Sequence, residues 1–466
     1  MCEPLPFANF MLLDRESHIE DFYYLSKVDT ILQLDPHGKK CYFYKIDGYI
    51  PKSLHDYFSD FPLFPEKMEV EMDMFSSFQR NVYSEKDLKS GPRLMSTLTP
   101  KKNYVTHYRM LQFALKHGFV LTKVCNIIVC DQEPWLKGYI EKNNALRAQA
   151  DLDGDQFKVG NFKNMNNMFY GKTVEQVRNR TNIVIKSNDN DAQRIISKPT
   201  FKRSKVLNDD LLLIETTIKN IVLNKPIYIG ATVLELAKLR MYEFFYDVMK
   251  RFYNEPNQVS LLYSDTDSFI LNIKTNDVYK DMLHPSMIDQ FDFSSYSMNS
   301  IQFANVLNFD EIRKRSMKVL GKMKDELGDY IMDEFAGLKS KLYSYTIQIP
   351  VTSKPLKNTQ FYKLIKDPIS GDRVLYMKIV AKGIRDYVRK KHISFSHYKR
   401  LLKKLKKGEV KRLSIRQTQI RSNNHKLSTQ SVRKVALSAC DTKRYLVDAI
   451  NTLPFGHFNA RKENSM

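Results

Sequence analysis

Val259-Ser-Leu-Leu-Tyr-Ser-Asp-Thr-Asp-Ser-Phe-Ile-Leu-Asn-Ile273 is two short apolar runs joined by polar residues. Residues 259–263 read as one strand and residues 268–273 as the next, with a tight hairpin turn between them. A period of two places Asp265 and Asp267 on the same side of the ribbon. Two carboxylates side by side repel each other unless a cation lies between them. Oxygen-only ligands on a rigid turn suit Mg²⁺, which keeps several waters and leaves room for substrate phosphates. An isolated Asp-x-Asp is more often an acidic surface turn. Here a long amphipathic helix delivers the chain into buried-type strands, and that context favours a metal site.

The delivering helix is expected over residues 233–252, opened by a Thr232-x-x-Glu235 capping box. Leu236, Leu239, Phe244, Val248 and Phe252 give it a core-facing stripe. Further upstream, residues 41–50 alternate like a half-buried strand. Residues 54–67 contain two prolines and must be largely irregular. Residues 103–117 read as a helix stopped by Gly118, residues 119–129 as a strand, and residues 135–150 and 155–178 as two more helices. Cys125-x4-Cys130 lacks a second pair or nearby histidine to complete a zinc site, and both read as residues of a buried strand.

The last of those helices carries Lys163, Asn167 and Tyr170 at i, i+4 and i+7, hence on one face. That face offers a cation for a triphosphate, an amide that can hydrogen-bond, and a ring to lie against a sugar or base. Gly171 leaves room for close approach. Arg147 lies 16 residues upstream of Lys163, on the preceding helix. A third cluster, Glu334-Phe-Ala-Gly-Leu-Lys-Ser-Lys-Leu-Tyr-Ser-Tyr345, holds Lys341 and Tyr343 two apart on an expected strand.

Net charge is +22, and it is concentrated. Residues 355–466 hold 27 Lys+Arg against 7 Asp+Glu, while the first 354 residues hold 47 against 45. A charge run is usually a solvated face, but an excess confined to one terminal region suits a phosphate backbone. The region opens at Ala381-Lys382-Gly383. Residues 399–407, with Lys403 and Lys404, carry six Lys or Arg on an expected helix, and Arg416, Arg421 and His425 follow. A hydrophobic content of 42% fits a globular chain long enough for two to four cores. No stretch approaches a membrane span, the N-terminus lacks a signal-peptide pattern, and five scattered cysteines suit a reducing compartment. The expected setting is intracellular.

Tyr263-x-Asp265-Thr-Asp267-Ser268 resembles the third polymerase motif of family B DNA polymerases, whose carboxylates bind the catalytic metals. Lys163-x3-Asn167-x-x-Tyr170-Gly171 resembles the second motif, with Met168 where Ser is usual. Lys341-x-Tyr343 resembles the element that contacts the primer end. Residues 54–67, the stretch from Gly171 to Arg180, Trp135-Leu-Lys-Gly-Tyr-Ile140 and Asn451-Thr-Leu-Pro-Phe-Gly-His457 are similar to the protein-primed Maverick/Polinton-like transposon, viral or organellar type. The resemblance covers nearly the whole chain.

It implies an α+β fold: a polymerase right hand with an antiparallel palm sheet and helical fingers and thumb. Residues 1–131 and 183–348 would form the palm, 132–182 the fingers and 349–466 the basic thumb. It implies template-directed DNA synthesis from dNTPs on a DNA primer-template, with a protein primer as a further partner. Asp265 and Asp267 are then the catalytic and Mg²⁺-binding residues, Asp267 first. Arg147, Lys163, Asn167 and Tyr170 bind nucleotide, and Lys341, Tyr343, Lys382, Lys403 and Lys404 bind DNA. In the family a first motif supplies another metal-binding aspartate, followed by Ser/Asn-Leu-Tyr. Here the chain is expected to start just after it, as a truncated copy that also lacks the exonuclease. Neither Glu3 nor Asp14 replaces that aspartate, and Glu71-x-Asp73 falls in the wrong place. The alternative is a catalytically inactive nucleic-acid-binding remnant. A reverse transcriptase fits less well, because its paired Asp-Asp does not match Asp-Thr-Asp.

Overall fold

The computed structural model describes residues 1–89, 91–298, 300–350, 361–366 and 373–460. Two four-stranded antiparallel sheets dominate. The first has the order Leu5–Leu13, Val120–Glu133, Lys40–Tyr49, Lys101–His107. Its core holds Tyr44, Ile46, Ile127 and Cys130, together with Leu239, Tyr242, Phe245 and Tyr246 of the long helix. The second has the order Ile331–Lys339, Leu342–Pro350, Arg373–Ala381, Phe361–Lys366. On it packs the basic helix Phe395–Lys406, through Phe395, Tyr398, Leu401 and Leu405. No helix among the described residues is long and apolar enough to cross a membrane.

Three expectations need correction. The stretch 103–117 is not one helix: the strand Lys101–His107 precedes the helix Tyr108–Lys116. Tyr104, Val105 and Thr106 favour a pleated, half-buried setting, and this strand pairs with Lys40–Tyr49. The helix expected to run to residue 178 ends at Thr173. The long helix begins at Ile227 with Pro226 as its cap, and Thr232 Oγ1 donates back to the Tyr228 carbonyl. Proline before the first turn loses no helical bond, so the helix starts there. Glu235 accepts from Thr106 Oγ1 instead of closing a capping box.

The long helix widens to a π-helix over Glu243–Met249 and ends at Phe252. The irregular stretch beside it pairs only a few of its own carbonyls, such as those of Leu54 and Asp56, and buried carbonyls need donors. Tyr242 Oη, Tyr246 Oη and Lys250 Nζ, spaced four apart, donate to the carbonyls of Pro62, Phe61 and Tyr57 at 2.8, 2.6 and 2.6 Å. The irregular stretch is thereby locked to the helix that feeds the Asp-Thr-Asp hairpin.

The chain end returns to this same stretch. Leu98 N–H donates to the Phe455 carbonyl at 2.8 Å, buried His457 bonds Asp56 at 3.1 Å, and Arg444 donates to the Ser59 carbonyl at 3.1 Å. One hydrophobic core therefore joins Val70, Phe75, Tyr83, Leu88 and Met95 to residues from Ala336 to Ala460. The long hairpin of Arg412–Asn423 and Lys426–Ser438 reaches the three-stranded sheet of Thr181–Lys186, Leu211–Thr217 and Phe201–Asn208. At its tip His425 bonds Glu215 at 2.9 Å, and Arg203 donates to Asn424 at 2.6 Å. Lys202, Arg203 and His425 together pull the Glu215 carboxyl down to about 2.

Candidate active site

The hairpin pairs Val259–Asp265 with Ser268–Ile273 and joins no other strand among the described residues. Its strands are mostly half-buried, with only Val259 fully inside. One side packs through Phe269 on Phe61 and Phe245, at ring separations of 5.4 and 5.8 Å. A register shift at Leu262 bulges the strand just before the turn, and Asp60 accepts the Leu261 N–H at 3.0 Å. Bulges re-aim the side chains that follow.

The strand ends at Asp265, because Asp265 pairs with Ser268 across a two-residue turn. Asp267 belongs to that turn, so the alternation expected to align it with Asp265 does not extend to it. Thr266 sits at φ +59°, and Asp267 N–H donates to the Asp265 carbonyl at 2.7 Å. A β-branched residue in the left-handed region is costly, and such strain clusters at functional sites.

A second strained turn meets the first. Lys341, at φ +60°, lies between Lys339 and Leu342, and its ammonium contacts the Asp265 carboxylate. Its backbone N–H donates to Tyr263 Oη at 3.2 Å, and the Tyr263 and Tyr343 rings stand 4.4 Å apart. Lys382 N–H donates to the Lys341 carbonyl at 3.3 Å. Partial burial works to raise the Asp265 carboxyl. The Lys341 charge outweighs it, with help from the Thr266 and Tyr263 hydroxyls, and holds the group below the usual carboxylate value. Asp265, Lys341, Tyr343 and Lys382 are therefore brought together, although 76 residues separate the first two.

The second group lies on two antiparallel helices, Lys137–Leu152 and Gln156–Thr173. Asn143 donates to Asn166 at 2.8 Å, Asn166 to Asn144 at 3.3 Å, and Trp135 packs edge-on against Phe169 at 5.9 Å. That register sets Arg147 level with Phe162 and Lys163. Asn166 takes the locking face, so Lys163 and Asn167 stay exposed and Tyr170 half-exposed. Among the described residues Lys163 makes no hydrogen bond or ion pair. The pair rests on the long helix at Gly230, where a Cβ would meet Val174 Cγ1 at 2.3 Å and Thr173 Oγ1 at 2.7 Å.

Residues 36–250 match the family described as DNA polymerase type B, organellar and viral. Over this span the chain is similar to type B DNA polymerases. The polymerase-like segment takes in Arg147, Lys163, Asn167, Tyr170 and nearly all of the long helix, and ends before the Asp-Thr-Asp hairpin. It is somewhat under half of the 466 residues. No curated protein and no solved structure matches the chain.

Divalent metal is general in this family. Asp265 and Asp267 are hard oxygen ligands of the right kind. Among the described residues, however, no group of three His, Cys, Asp or Glu side chains is placed to hold an ion. The two aspartates thus fit part of a metal site and do not make a two-ion one. Lys403 and Lys404, on the helix Phe395–Lys406, make no hydrogen bond or ion pair with either group among the described residues, and Lys404 pairs with Glu409 at 3.2 Å. No hydrogen bond or ion pair among the described residues links the helix pair to the hairpin. Sequence reasoning missed Tyr263 as the hydroxyl that fixes Lys341, and Asp60 behind the bulge. The four-residue spacing of Tyr242, Tyr246 and Lys250 was the readable sign that residues 54–67 lie on the long helix.

If Lys163 meets a triphosphate, Lys163→Ala, made in a chain extended upstream through an Asp-x-x-Ser/Asn-Leu-Tyr segment, removes a charge-assisted bond and should raise the KM for dNTP about 10-fold or more. Lys172 points away from that face and pairs with Glu175 at 3.2 Å. Lys172→Ala should change KM less than about 2-fold, as expected for a surface pair. Equal effects in steady-state assays would contradict the face assignment.

Proposed function

We propose that the chain performs template-directed nucleotidyl transfer from dNTPs, with Asp265 and Asp267 as its metal-binding carboxylates. The observation that carries this reading is the meeting of Asp265, Lys341 and Tyr343 beside a segment that matches type B polymerases. Bound divalent ions supply Lewis-acid activation and charge neutralisation at phosphates. The chain's own residues do the rest. Arg147 and Lys163 draw the triphosphate to the helix pair, and Tyr170 offers a ring to the sugar. Lys341, Tyr343 and Lys382 form one surface for the primer end. The right-hand arrangement of palm, fingers and thumb belongs to this proposal, with the residue ranges given above and a protein primer as a further partner. A third carboxylate, from a segment carrying Asp-x-x-Ser/Asn-Leu-Tyr, completes the site.

One observation favours a second reading, nucleic-acid binding without catalysis. Asp265 already has an ammonium partner, and no third metal ligand stands near it among the described residues.

Both readings require the basic region to hold nucleic-acid backbone, whose phosphate contacts position without reading sequence. Deleting residues 355–466 would remove most of a shared core, so charge substitution is the cleaner test. Lys403, Lys406 and Lys407 are exposed. Changing all three to Gln should make log affinity for duplex less steep in log salt, by roughly 0.9 for each phosphate that is no longer neutralised. An unchanged slope would mean that this charge is only a solvated surface.

A further inference from the structure

A cavity of about 220 Å³ opens between the basic helix and the start of the long hairpin. His397, Arg400 and Lys404 line it from the helix, at i, i+3 and i+7 on one face, and Lys411 and Arg412 line it from the strand side. Leu401 and Leu413 complete its wall. The neighbouring acids are Glu409, 3.2 Å from Lys404 and 3.9 Å from Lys411, and Asp87, which contacts Arg412. Two positive charges remain in excess. Arg400 has no hydrogen bond or ion pair among the described residues, although it stands one helical turn from Lys404. Like charges at that spacing destabilise a helix, and an anion held between them would offset that.

The histidine adds a directed donor. His397 Nδ1 accepts the Ser394 backbone N–H at 3.1 Å, which leaves the ring proton of the neutral form on Nε2. Burial, and then the charge of Arg400, push the imidazole below its ordinary value, so the neutral donor form prevails near neutral pH. A guanidinium fork, two ammonium groups and a ring N–H around a small recess match a tetrahedral dianion with several acceptor oxygens.

We infer that this cavity binds a tetrahedral phosphate dianion, either the 5′-phosphate at a nucleic-acid end or free inorganic phosphate. A phosphodiester inside a duplex has one charge and only two free oxygens, and it uses such a recess less completely. The 5′-end version rests on the proposal that the basic region meets nucleic acid. The phosphate chemistry does not.

The test compares the full chain with Arg400→Gln, whose missing partners make the substitution compatible with the fold, and with Lys411→Gln. Affinity is measured for one oligonucleotide bearing either a 5′-phosphate or a 5′-hydroxyl, at fixed salt. Thermal stability is followed in parallel as inorganic phosphate is added, with chloride of equal ionic strength as control. An end site gives about tenfold tighter binding of the 5′-phosphorylated strand, the size of one charge-assisted bond. Arg400→Gln abolishes that preference, whatever backbone affinity both strands lose alike, and makes inorganic phosphate a poorer competitor. Lys411→Gln, outside the basic helix, weakens the preference in the same direction. Phosphate-specific stabilisation that disappears in Arg400→Gln, with no preference between the two strands, assigns the cavity to free phosphate. No preference and no phosphate-specific stabilisation overturns the inference. Failure to bind either strand tells against the nucleic-acid reading instead, and the phosphate titration then decides the cavity alone.

Discussion

Asp267→Asn is expected to cut primer extension on the order of 10³-fold or more while leaving the fold in place. The comparison belongs in a chain that also carries an upstream Asp-x-x-Ser/Asn-Leu-Tyr segment, where extension can be measured. Asp267 is exposed at the turn, and among the described residues its side chain makes no hydrogen bond or ion pair. Its backbone N–H, which closes the turn on the Asp265 carbonyl, survives the substitution. The melting temperature should therefore stay near that of the parent, and duplex and nucleotide affinity should change little. Asp265→Asn should cost less activity, since the Lys341 ammonium and the Tyr263 hydroxyl can still donate to the side-chain oxygen at that position. Activity retained in Asp267→Asn would remove this residue from the chemistry.

The largest stability loss is expected at Gly456→Ala. Gly456 has φ +86°, and a Cβ there would lie 2.4 Å from the Thr99 amide nitrogen and 2.7 Å from the Leu98 carbonyl carbon. Backbone strain and overpacking each cost about 1–3 kcal/mol, and rigid backbone on the other side offers little relief. A loss of about 3 kcal/mol or more should appear in chemical denaturation. The change should also loosen the Leu98–Phe455 bond, and with it the stretch at residues 54–67 that supports the long helix. Hydrogen exchange at Leu98 would report that loosening directly. A denaturation midpoint equal to the parent's would contradict the packing described for the chain end.

The sequence made some of this plain and hid the rest, for physical reasons. The Asp-Thr-Asp hairpin was readable because polar residues interrupt two apolar runs, and the helix pair because Lys163, Asn167 and Tyr170 repeat at helical spacing. The strand Lys101–His107 was hidden by its continuity with the helix that follows, since helix and strand patterns run together over residues 103–117. The start of the long helix was missed because Thr232 and Glu235 mimic a capping box, while their side chains serve Tyr228 and Thr106. The side of the ribbon that Asp267 takes was beyond a period-two argument, because Thr266 breaks the strand with a positive φ. Lys341 and Tyr343 carried a family signal, but no local rule could bring a lysine to a carboxylate so far away in sequence. The return of residues 441–458 onto residues 55–99 was hidden in the same way. It depends on buried polar contacts such as Arg444 with Ser59 and His457 with Asp56, which leave no periodic trace.

If Asp265 and Asp267 are metal-binding carboxylates of a polymerase site that needs one more acid, supplying that acid should switch on synthesis. The decisive measurement is primer extension in Mg²⁺ or Mn²⁺, with the 466-residue chain run beside a version extended upstream through an Asp-x-x-Ser/Asn-Leu-Tyr segment. Robust extension is predicted only for the longer chain, with comparable duplex binding by both. Robust extension by the 466-residue chain, abolished by Asp267→Asn, would show that another carboxylate already completes the site. Inactivity of both chains would contradict the polymerase reading and leave nucleic-acid binding as the function.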